Sequence, residues 1–484
     1  MKLRTRRKGR TLLLVSSLAV ATGCTAILGD YGVGGAPTHG AEGGADVAVT
    51  DAPVADSPGT SDSGDAGESG DAGGCKVPSG GALLDDAVTV AAGSGHTCAI
   101  RQDGALYCWG DNNFGQLGVP QATVLSSNKP VKVVFPATLG NARITQVALS
   151  ESTSFAVDSQ LRLWAWGENQ TGLLAIGATD ALAHDVPAIV KTGTAAGAPP
   201  LLVRKIAPHW YAACALATTG DAVCWGKNSV GELGSSPPAP AINVDSFVPG
   251  KAFGFVGSAG PNAILAPGIG SAATCFASGV PADGMRCWGG VFAGGLLANI
   301  AAPPNGGVNY SAQAPLVTAG ATLPFDQVMY GTNYGAALDS KGRLFTWGST
   351  DNAQHGPGGA PAPGTAKVVP GAWTNMSTGY VFLCAVDDQK KVRCRGSNTQ
   401  GQLGRTTMTV ADTQLMDPVV LSGGQMLANV RSVHAGFFHT CAISEGVCGP
   451  KGPGAVKCWG DGTKGELGDD TGASSPVPVD VKAP

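Results

Sequence analysis

One unit of sequence recurs along this chain from about residue 85 to its end. Its clearest copy, residues 96–118, reads HTCAIRQDGALYCWGDNNFGQLG. Aligned on the first cysteine of this stretch, seven copies follow one another at intervals of 48 to 61 residues. The equivalent positions are Cys98, Phe155, Cys214, Cys275, Ala336, Cys384 and Cys441. Such a period predicts one array of equivalent structural units rather than several unrelated domains.

Each unit contains four short apolar segments separated by glycine, which accounts for 73 of the 484 residues. Short strands and tight turns have this composition, whereas long helices do not. The third segment closes in Trp-Gly, at Trp109, Trp166, Trp225, Trp288, Trp347 and Trp459, with Arg395 in the sixth unit. Four strands per period are typical of one propeller blade, so residues 81–484 are predicted to form an all-β propeller.

The two ends of this array are complementary. Residues 474–481, SSPVPVDV, match residues 126–133, SSNKPVKV, but no Val-x-x-Gly segment follows them. That segment is found at the other end, in residues 88–98, VTVAAGSGHTC. We therefore predict that one blade is completed by strands from both termini, which would close the ring without an open sheet edge.

Residues 90–118, VAAGSGHTCAIRQDGALYCWGDNNFGQLG, resemble the repeat of the regulator of chromosome condensation family. The resemblance extends over about 400 of the 484 residues. It implies a seven-bladed β-propeller, because known members of the family have that fold. Members differ widely in function, so the fold does not name an activity.

The cysteines of the first unit, Cys98 and Cys108, are predicted to face each other across a hairpin with a three-residue turn. Units two and five lack both cysteines together, which favours a cross-strand disulfide over a metal or redox site. The predicted pairs are Cys98–Cys108, Cys214–Cys224, Cys275–Cys287, Cys384–Cys394 and Cys441–Cys458, with Cys75–Cys448 assigned from the two that remain. Such bonds persist in an oxidising compartment.

Residues 1–23 have the layout of a secretory signal, with a basic start and an apolar run too short for a permanent membrane span. The run ends in Ala-Thr-Gly before Cys24, which resembles a lipoprotein cleavage site. We expect Cys24 to be lipidated and the protein to be exported to a bacterial cell envelope, at the outer membrane or cell surface; ordinary secretion with removal of Cys24 is the alternative. Residues 24–80 are acidic and rich in Gly, Ala, Ser and Asp, which predicts a disordered tether.

The net charge of −4 combines a basic N-terminal signal, this acidic tether and a repeat array that is close to neutral. A neutral body offers no clustered Lys and Arg for nucleic acid, so no nucleic-acid partner is expected. We expect a monomer that contacts the membrane only through its lipid anchor and recognises an unidentified protein or peptide.

The sequence contains no recognisable catalytic motif, so we expect no enzyme, no cofactor and no metal. His96 and His439 occupy the same repeat position and are interpreted as structural hydrogen-bonding groups. Several acidic and amide side chains are interpreted as turn residues: Asp103, Asp221, Asp283 and Asp339, and Asn112, Asn169, Asn228 and Asn398. The tryptophans outside the repeat rule are the candidates for exposed recognition, and they are Trp164, Trp210 and Trp373.

These observations predict a rigid, anchored recognition scaffold whose binding residues lie in variable segments between repeats. The segments are 119–128, 235–246, 298–312 and 405–417. An inhibitor of an envelope enzyme is one form of this hypothesis. Two alternatives remain: nucleotide exchange on a small GTPase or chromatin binding, as the family resemblance implies, and a glycan-active envelope enzyme.

Overall fold

The computed structural model describes the chain from residue 81 onward, with gaps. The described ranges are 81–229, 231–234, 244–252, 264–266, 273–277, 285–289, 320, 325–332, 334–348, 366–406, 413–446 and 452–484. The predicted signal, Cys24, the tether, Cys75 and Cys448 lie outside them. Among the described residues, no helix has the length and apolar character needed to cross a membrane.

The described residues form an all-β fold, with a single 3-10 turn at Ala137–Leu139. The first sheet contains β1 (Ala87–Ala92), β2 (His96–Arg101), β3 (Leu106–Asp111) and β4 (Ser126–Lys132). The second contains β5 (Ile144–Leu149), β6 (Thr153–Asp158), β7 (Leu163–Gly167) and β8 (His184–Ile189). The third contains β9 (Val203–Pro208), β10 (Ala212–Ala217), β11 (Ala222–Gly226) and β12 (Ser246–Lys251).

The remaining sheets follow in chain order. The fourth contains β13 (Ile264–Ala266), β14 (Ala273–Ala277) and β15 (Met285–Gly289). The fifth contains β16 (Phe325–Tyr330), β17 (Tyr334–Asp339), β18 (Leu344–Gly348) and β19 (Lys367–Val369). The sixth contains β20 (Trp373–Thr378), β21 (Phe382–Asp387), β22 (Val392–Gly396) and β23 (Thr413–Pro418). The seventh contains β24 (Val430–Ala435), β25 (His439–Ser444), β26 (Val456–Gly460) and β27 (Ser475–Asp480).

Six of these sheets are complete four-stranded blades, and the fourth unit has three strands within the described residues. The prediction of seven complete blades is therefore wrong for the described chain, which has six. The fourth unit departs from the repeat just after its Trp-Gly. It carries Val291 where the asparagine of the turn stands in the first unit. The segment expected to supply its outer strand, 290–319, lies outside the described residues.

Every described sheet is contiguous in the chain, contrary to the prediction of a blade assembled from both termini. The reason is that β1 already supplies the first strand of the first sheet and β27 the outer strand of the last. The two ends of the repeat array are joined by backbone hydrogen bonds outside the first sheet. Leu84 N–H donates to Val481 O at 3.0 Å, and Val456 N–H donates to Leu84 O at 3.0 Å. The segment that precedes β1 is thus attached to the last sheet.

The central hairpin of each unit has the register that its turn length predicts. Cys98 lies opposite Cys108, and Cys214 opposite Cys224. The third turn residue takes a positive φ, at Gly104 and Gly220, where glycine avoids a Cβ clash. Lys390 holds the same position with φ 61° in the sixth unit, so the turn forms there without glycine.

The hydrophobic core is divided among the interfaces between neighbouring sheets, which we call seams. Trp166 packs with residues of the first and second sheets, and Trp225 with residues of the second and third. Trp459 lies in the seam between the sixth and seventh sheets. Trp109 packs with Val456, Leu467 and other residues of the last sheet. The repeated tryptophans therefore pack blade against blade.

Candidate functional site

The cysteine pairs lie at the centre of the hairpins. Four pairs are joined in the structure, and they are Cys98–Cys108, Cys214–Cys224, Cys384–Cys394 and Cys441–Cys458. Cys275 is disulfide-bonded and faces Cys287 in the register of β14 and β15. In units two and five the same cross-strand positions hold Phe155 opposite Ala165 and Ala336 opposite Thr346. In the units without a cross-strand disulfide, a pair of apolar or small side chains therefore occupies the same position.

The repeated tryptophans also hydrogen-bond across the seams. In five units of the described chain, the indole Nε1–H donates to a carbonyl in the turn that follows the third strand of the preceding sheet. The pairs are Trp109 to Glu466, Trp166 to Gln116, Trp225 to Leu173, Trp288 to Glu232 and Trp459 to Gln402, at 2.7 to 2.9 Å. The Gly-x-Leu-Gly motif is thus explained, because its second residue supplies the accepting carbonyl in the first unit.

The last and first sheets meet through this same contact. Trp109 donates to Glu466 O at 2.7 Å, and Thr97 Oγ1–H donates to the same oxygen at 2.9 Å. Phe437 N–H donates to Gly93 O at 3.1 Å. The pattern repeats in the next seam, where Ser154 Oγ–H and Trp166 Nε1–H both donate to Gln116 O.

One seam departs from the pattern on both sides. The fifth unit has Ala353 where the other units have a glycine six residues after the tryptophan position. The sixth unit has Arg395 in place of the tryptophan that would contact that turn. Arg395 is buried, donates to Thr346 Oγ1 at 3.0 Å, and has its pKa lowered to about 10 by burial. Trp373 fills part of the same seam.

The buried histidines contribute to the seams as neutral donors. His96 Nε2 lies 2.9 Å from Ser154 Oγ, and His439 Nε2 lies 2.9 Å from Thr97 Oγ1. Since both hydroxyl hydrogens are directed at carbonyls, the imidazole Nε2–H is the donor in each pair. Burial lowers the pKa of His96 to about 3 and that of His439 to about 4. Within the described residues, no group of three or more His, Cys, Asp or Glu side chains is arranged to hold a metal.

Glu466 offers a test of the seam between the last and first sheets. Burial raises the pKa of its carboxyl from an ordinary 4.5 to about 8, and the side chain accepts Lys464 N–H at 2.8 Å. A raised folded-state pKa stabilises the protein below the ordinary value, and this stability is lost as the pH rises toward 8. Between pH 6 and pH 7.5 the free energy of unfolding should fall by about 2 kcal/mol through this group.

Glu466→Gln is expected to remove that pH-dependent loss, because the amide stays neutral and can still accept the Lys464 N–H. Chemical denaturation of both proteins across this pH range measures the difference. Glu445→Gln is the matched control, since Glu445 is half-buried and pairs with Lys390 at 3.3 Å. If the free energy of unfolding fell equally with pH in Glu466→Gln and in the unmodified protein, the expectation would be contradicted.

One rim of the propeller is built from the loops between the first and second strands of the sheets, which we call the first-loop rim. In five units the residue two positions after the repeated tryptophan position donates its backbone N–H to the carbonyl of the last of the three residues in this loop. The pairs are Asp111 to Gly95, Glu168 to Ser152, Lys227 to Tyr211, Ser397 to Val381 and Asp461 to Phe438. The backbone is repeated, while the side chains change from unit to unit.

The second and third units give this rim a distinct composition, which we call the acid–aromatic patch: Glu151, Glu168, Trp210 and Tyr211. Trp210 Nε1–H donates to Glu151 Oε2. The rings of Trp210 and Tyr211 stack with centroids 5.0 Å apart, and 41% of Tyr211 is exposed. Burial raises the pKa of Glu151 to about 7 and also raises that of Glu168. The two carboxyl groups lie close enough for Glu168 to raise the pKa of Glu151 further.

The neighbouring charges of this rim are paired within the described residues. Lys227 pairs with Asp245 at 2.9 Å, and Lys464 pairs with Asp111 at 2.7 Å. An aromatic group also lies across the sixth and seventh units, where Tyr380 and Phe437 have ring centroids 4.0 Å apart. The first-loop rim therefore combines aromatic surface with a local excess of carboxylate.

The three tryptophans predicted from the sequence as recognition residues differ in how buried they are. Trp164 and Trp373 are buried, so their prediction as exposed recognition residues is wrong. Trp164 donates to Asp158 Oδ2 at 2.9 Å and Trp373 packs in a seam, so both have structural partners. Trp210 lies partly exposed in the acid–aromatic patch. Sequence reasoning missed Glu151 and Tyr211, which lie in the short loops between the first and second strands of the second and third sheets.

The turn residues have local partners. Asp103 Oδ1 accepts Ala105 N–H, and Asp339 pairs with Arg343. Asp221 pairs with Lys251, and Asp283 lies outside the described residues. The buried asparagines Asn112, Asn169, Asn228 and Asn398 each accept the backbone N–H five residues later with their side-chain oxygen. These side chains organise turns.

A model of the regulator of chromosome condensation (RCC1) repeat matches residues 87–116, and a second model of the same repeat matches residues 103–157. The chain therefore contains RCC1 repeats. It is 27% identical over 331 residues to the ultraviolet-B receptor UVR8 of Arabidopsis thaliana, a match that covers 66% of each chain and so just under two thirds of the receptor. It is 25% identical over 402 residues to the secretion-regulating guanine nucleotide exchange factor of Bos taurus, covering 78% of this chain and 80% of the relative.

Solved structures resemble this RCC1-repeat protein in fold. Human WBSCR16 superimposes with a TM-score of 0.58 at 18% identity, over 74% of this chain and 86% of that one. Prp20p of Saccharomyces cerevisiae superimposes with a TM-score of 0.55 at 17% identity, over 72% of this chain and 80% of that one. At these identities the similarity shows the fold alone.

Proposed function

We propose that this RCC1-repeat protein is an exported, lipid-anchored recognition scaffold of a bacterial cell envelope, and that its first-loop rim binds a protein or peptide. The N-terminal signal pattern, Cys24 and the acidic tether support export and anchoring. The cysteine pairs support an oxidising location. In this proposal the seven repeat units form one closed ring, for which the contact between Trp109 and Glu466 is the support.

The acid–aromatic patch is the observation that carries the binding proposal. Aromatic side chains that are partly exposed and stacked are enriched in protein interfaces, because they supply rigid contact area at low entropic cost. The loops beneath them are held by the backbone contacts between Lys227 and Tyr211 and between Glu168 and Ser152. A preorganised surface of this kind loses little freedom when it binds.

Cross-linking in intact cells, followed by affinity purification of the protein from envelope extracts, tests this proposal. We expect a specific protein partner whose recovery falls at least about ten-fold with Trp210→Ala and Tyr211→Ala combined, since central aromatic contacts often contribute 2 kcal/mol or more. Leu202→Ala is the matched control, because Leu202 is also 41% exposed and lies outside the patch. A partner captured equally well by all three proteins would contradict binding at this rim.

Nucleotide exchange is a second candidate, favoured by the 25% identity to an exchange factor over 80% of that relative. Exchange would require a small GTPase in the same compartment. Release of labelled guanine nucleotide from a GTPase recovered with the protein would support it. A partner that binds no guanine nucleotide would exclude exchange and leave the scaffold proposal standing.

A further inference from the structure

The acid–aromatic patch has a chemistry that selects among peptide side chains. Its aromatic part is a stacked pair, with the planes of Trp210 and Tyr211 inclined by 13°. Beside it are the carboxyl groups of Glu151 and Glu168, which have raised pKa values because burial disfavours their charge. An arriving cation would stabilise the ionised form of both groups.

We propose that this patch binds an arginine side chain of the protein partner, with the guanidinium lying against the stacked rings and donating to the carboxylates of Glu151 and Glu168. This inference rests on the proposed function and names the partner's recognised group. Arginine suits the patch because its planar guanidinium stacks on aromatic rings and presents five donors in a fixed geometry. Trp210 Nε1–H donates to Glu151 Oε2, so the carboxyl group of Glu151 lies beside the aromatic pair.

Charge complementarity favours this occupant. The basic groups around the patch, Lys227 and Lys464, are paired with Asp245 and Asp111. No salt bridge of Glu168 occurs within the described residues. An acidic peptide would add charge beside two carboxyl groups, and a neutral peptide would leave their ionisation uncompensated.

The test uses the purified full-length protein labelled with ¹⁵N at its tryptophan indoles, with Trp210→Phe to assign the Trp210 signal. The probes are acetyl-Gly-Arg-Gly-amide and two matched peptides with citrulline or lysine in place of arginine. We expect a saturable shift of the Trp210 signal with the arginine peptide and at least ten-fold weaker binding of the citrulline and lysine peptides.

Glu151→Gln and Tyr211→Ala are each expected to weaken the arginine peptide at least ten-fold, while Glu445→Gln leaves it unchanged. Binding should tighten from pH 6 to pH 8 as Glu151 ionises; the charged groups that act on Glu151 are Glu168 and Lys464. Thermal unfolding of each variant distinguishes a loss of binding from a loss of folded structure. If Glu151→Gln fails to fold, Tyr211→Ala still tests the proposal, because it changes an exposed side chain.

The absence of a saturable shift, or equal binding of the arginine and citrulline peptides, would overturn the proposal. Equal binding of the lysine peptide would overturn the assignment to a guanidinium. The proposed function fails separately: if envelope cross-linking yields a partner that depends on Trp210 and Tyr211 while the arginine peptide does not bind, the scaffold role stands and this inference falls.

Discussion

Trp109→Ala is expected to lower the free energy of unfolding by about 4 kcal/mol, because a large buried side chain is removed from the core. Trp109 is fully buried between the first and last sheets and donates to Glu466 O at 2.7 Å. That carbonyl keeps Thr97 Oγ1–H as a donor, so the loss of the ring dominates over the loss of the hydrogen bond. Chemical denaturation with linear extrapolation measures the change.

The informative comparison is with Trp166, which makes the same contact with Gln116 between the first and second sheets. If the last and first sheets pack as neighbours do elsewhere, Trp109→Ala and Trp166→Ala should destabilise the protein by similar amounts. Phenylalanine at either position keeps most of the ring and loses the donor, at a cost of about 1 kcal/mol. A loss below 1 kcal/mol for Trp109→Ala, with a full loss for Trp166→Ala, would show that the ends of the chain do not pack together in solution.

Replacing Cys98 and Cys108 with alanine is expected to lower the free energy of unfolding by about 3 kcal/mol, because the crosslink no longer restricts the unfolded chain. The two cysteines are 10 residues apart in the chain and lie at the centre of the hairpin. The folded hairpin should tolerate the change, since the second unit already places Phe155 opposite Ala165 at this position. Denaturation with and without a thiol reductant measures the effect.

The reductant supplies the control. The unmodified protein should lose stability when reduced, and the double alanine variant should lose less, because one crosslink is already missing. Cys98→Ala alone should match the double variant, since either change breaks the same bond. If the unmodified protein and the double variant have equal stability and neither responds to reductant, the cysteines are thiols and the prediction of an oxidising compartment loses its support.

Much of the hairpin geometry could be predicted from the sequence because it is local. The number of residues between Cys98 and Cys108 decides which residues face each other, and a side chain two positions along lies on the same face. Joint loss of both cysteines in the second and fifth units identified them as partners. The residue type at the third position of the turn was less strongly determined. Lys390 adopts there the positive φ that glycine adopts in the first and third units.

The chain ends illustrate the limit of such reasoning. Similarity between residues 126–133 and 474–481 led to the prediction of a blade made from both termini. The structure keeps β4 and β27 in separate sheets and joins the ends by the segment around Leu84. Sequence similarity identifies equivalent strands, but it does not say where a unit begins.

The sequence by itself determined the strand positions, the turn residues and the partners of the hairpin cysteines, because each depends on residues close together in the chain. Only the tertiary structure decided that Trp109 contacts Glu466, that Trp164 and Trp373 are buried, and that Glu151 meets Trp210. The contacts of Trp109 with Glu466 and of Glu151 with Trp210 join residues of different sheets, and Glu151 and Trp210 are separated by 59 residues in the chain. Packing between sheets sets them, and the periodicity within a single unit carries no information about it.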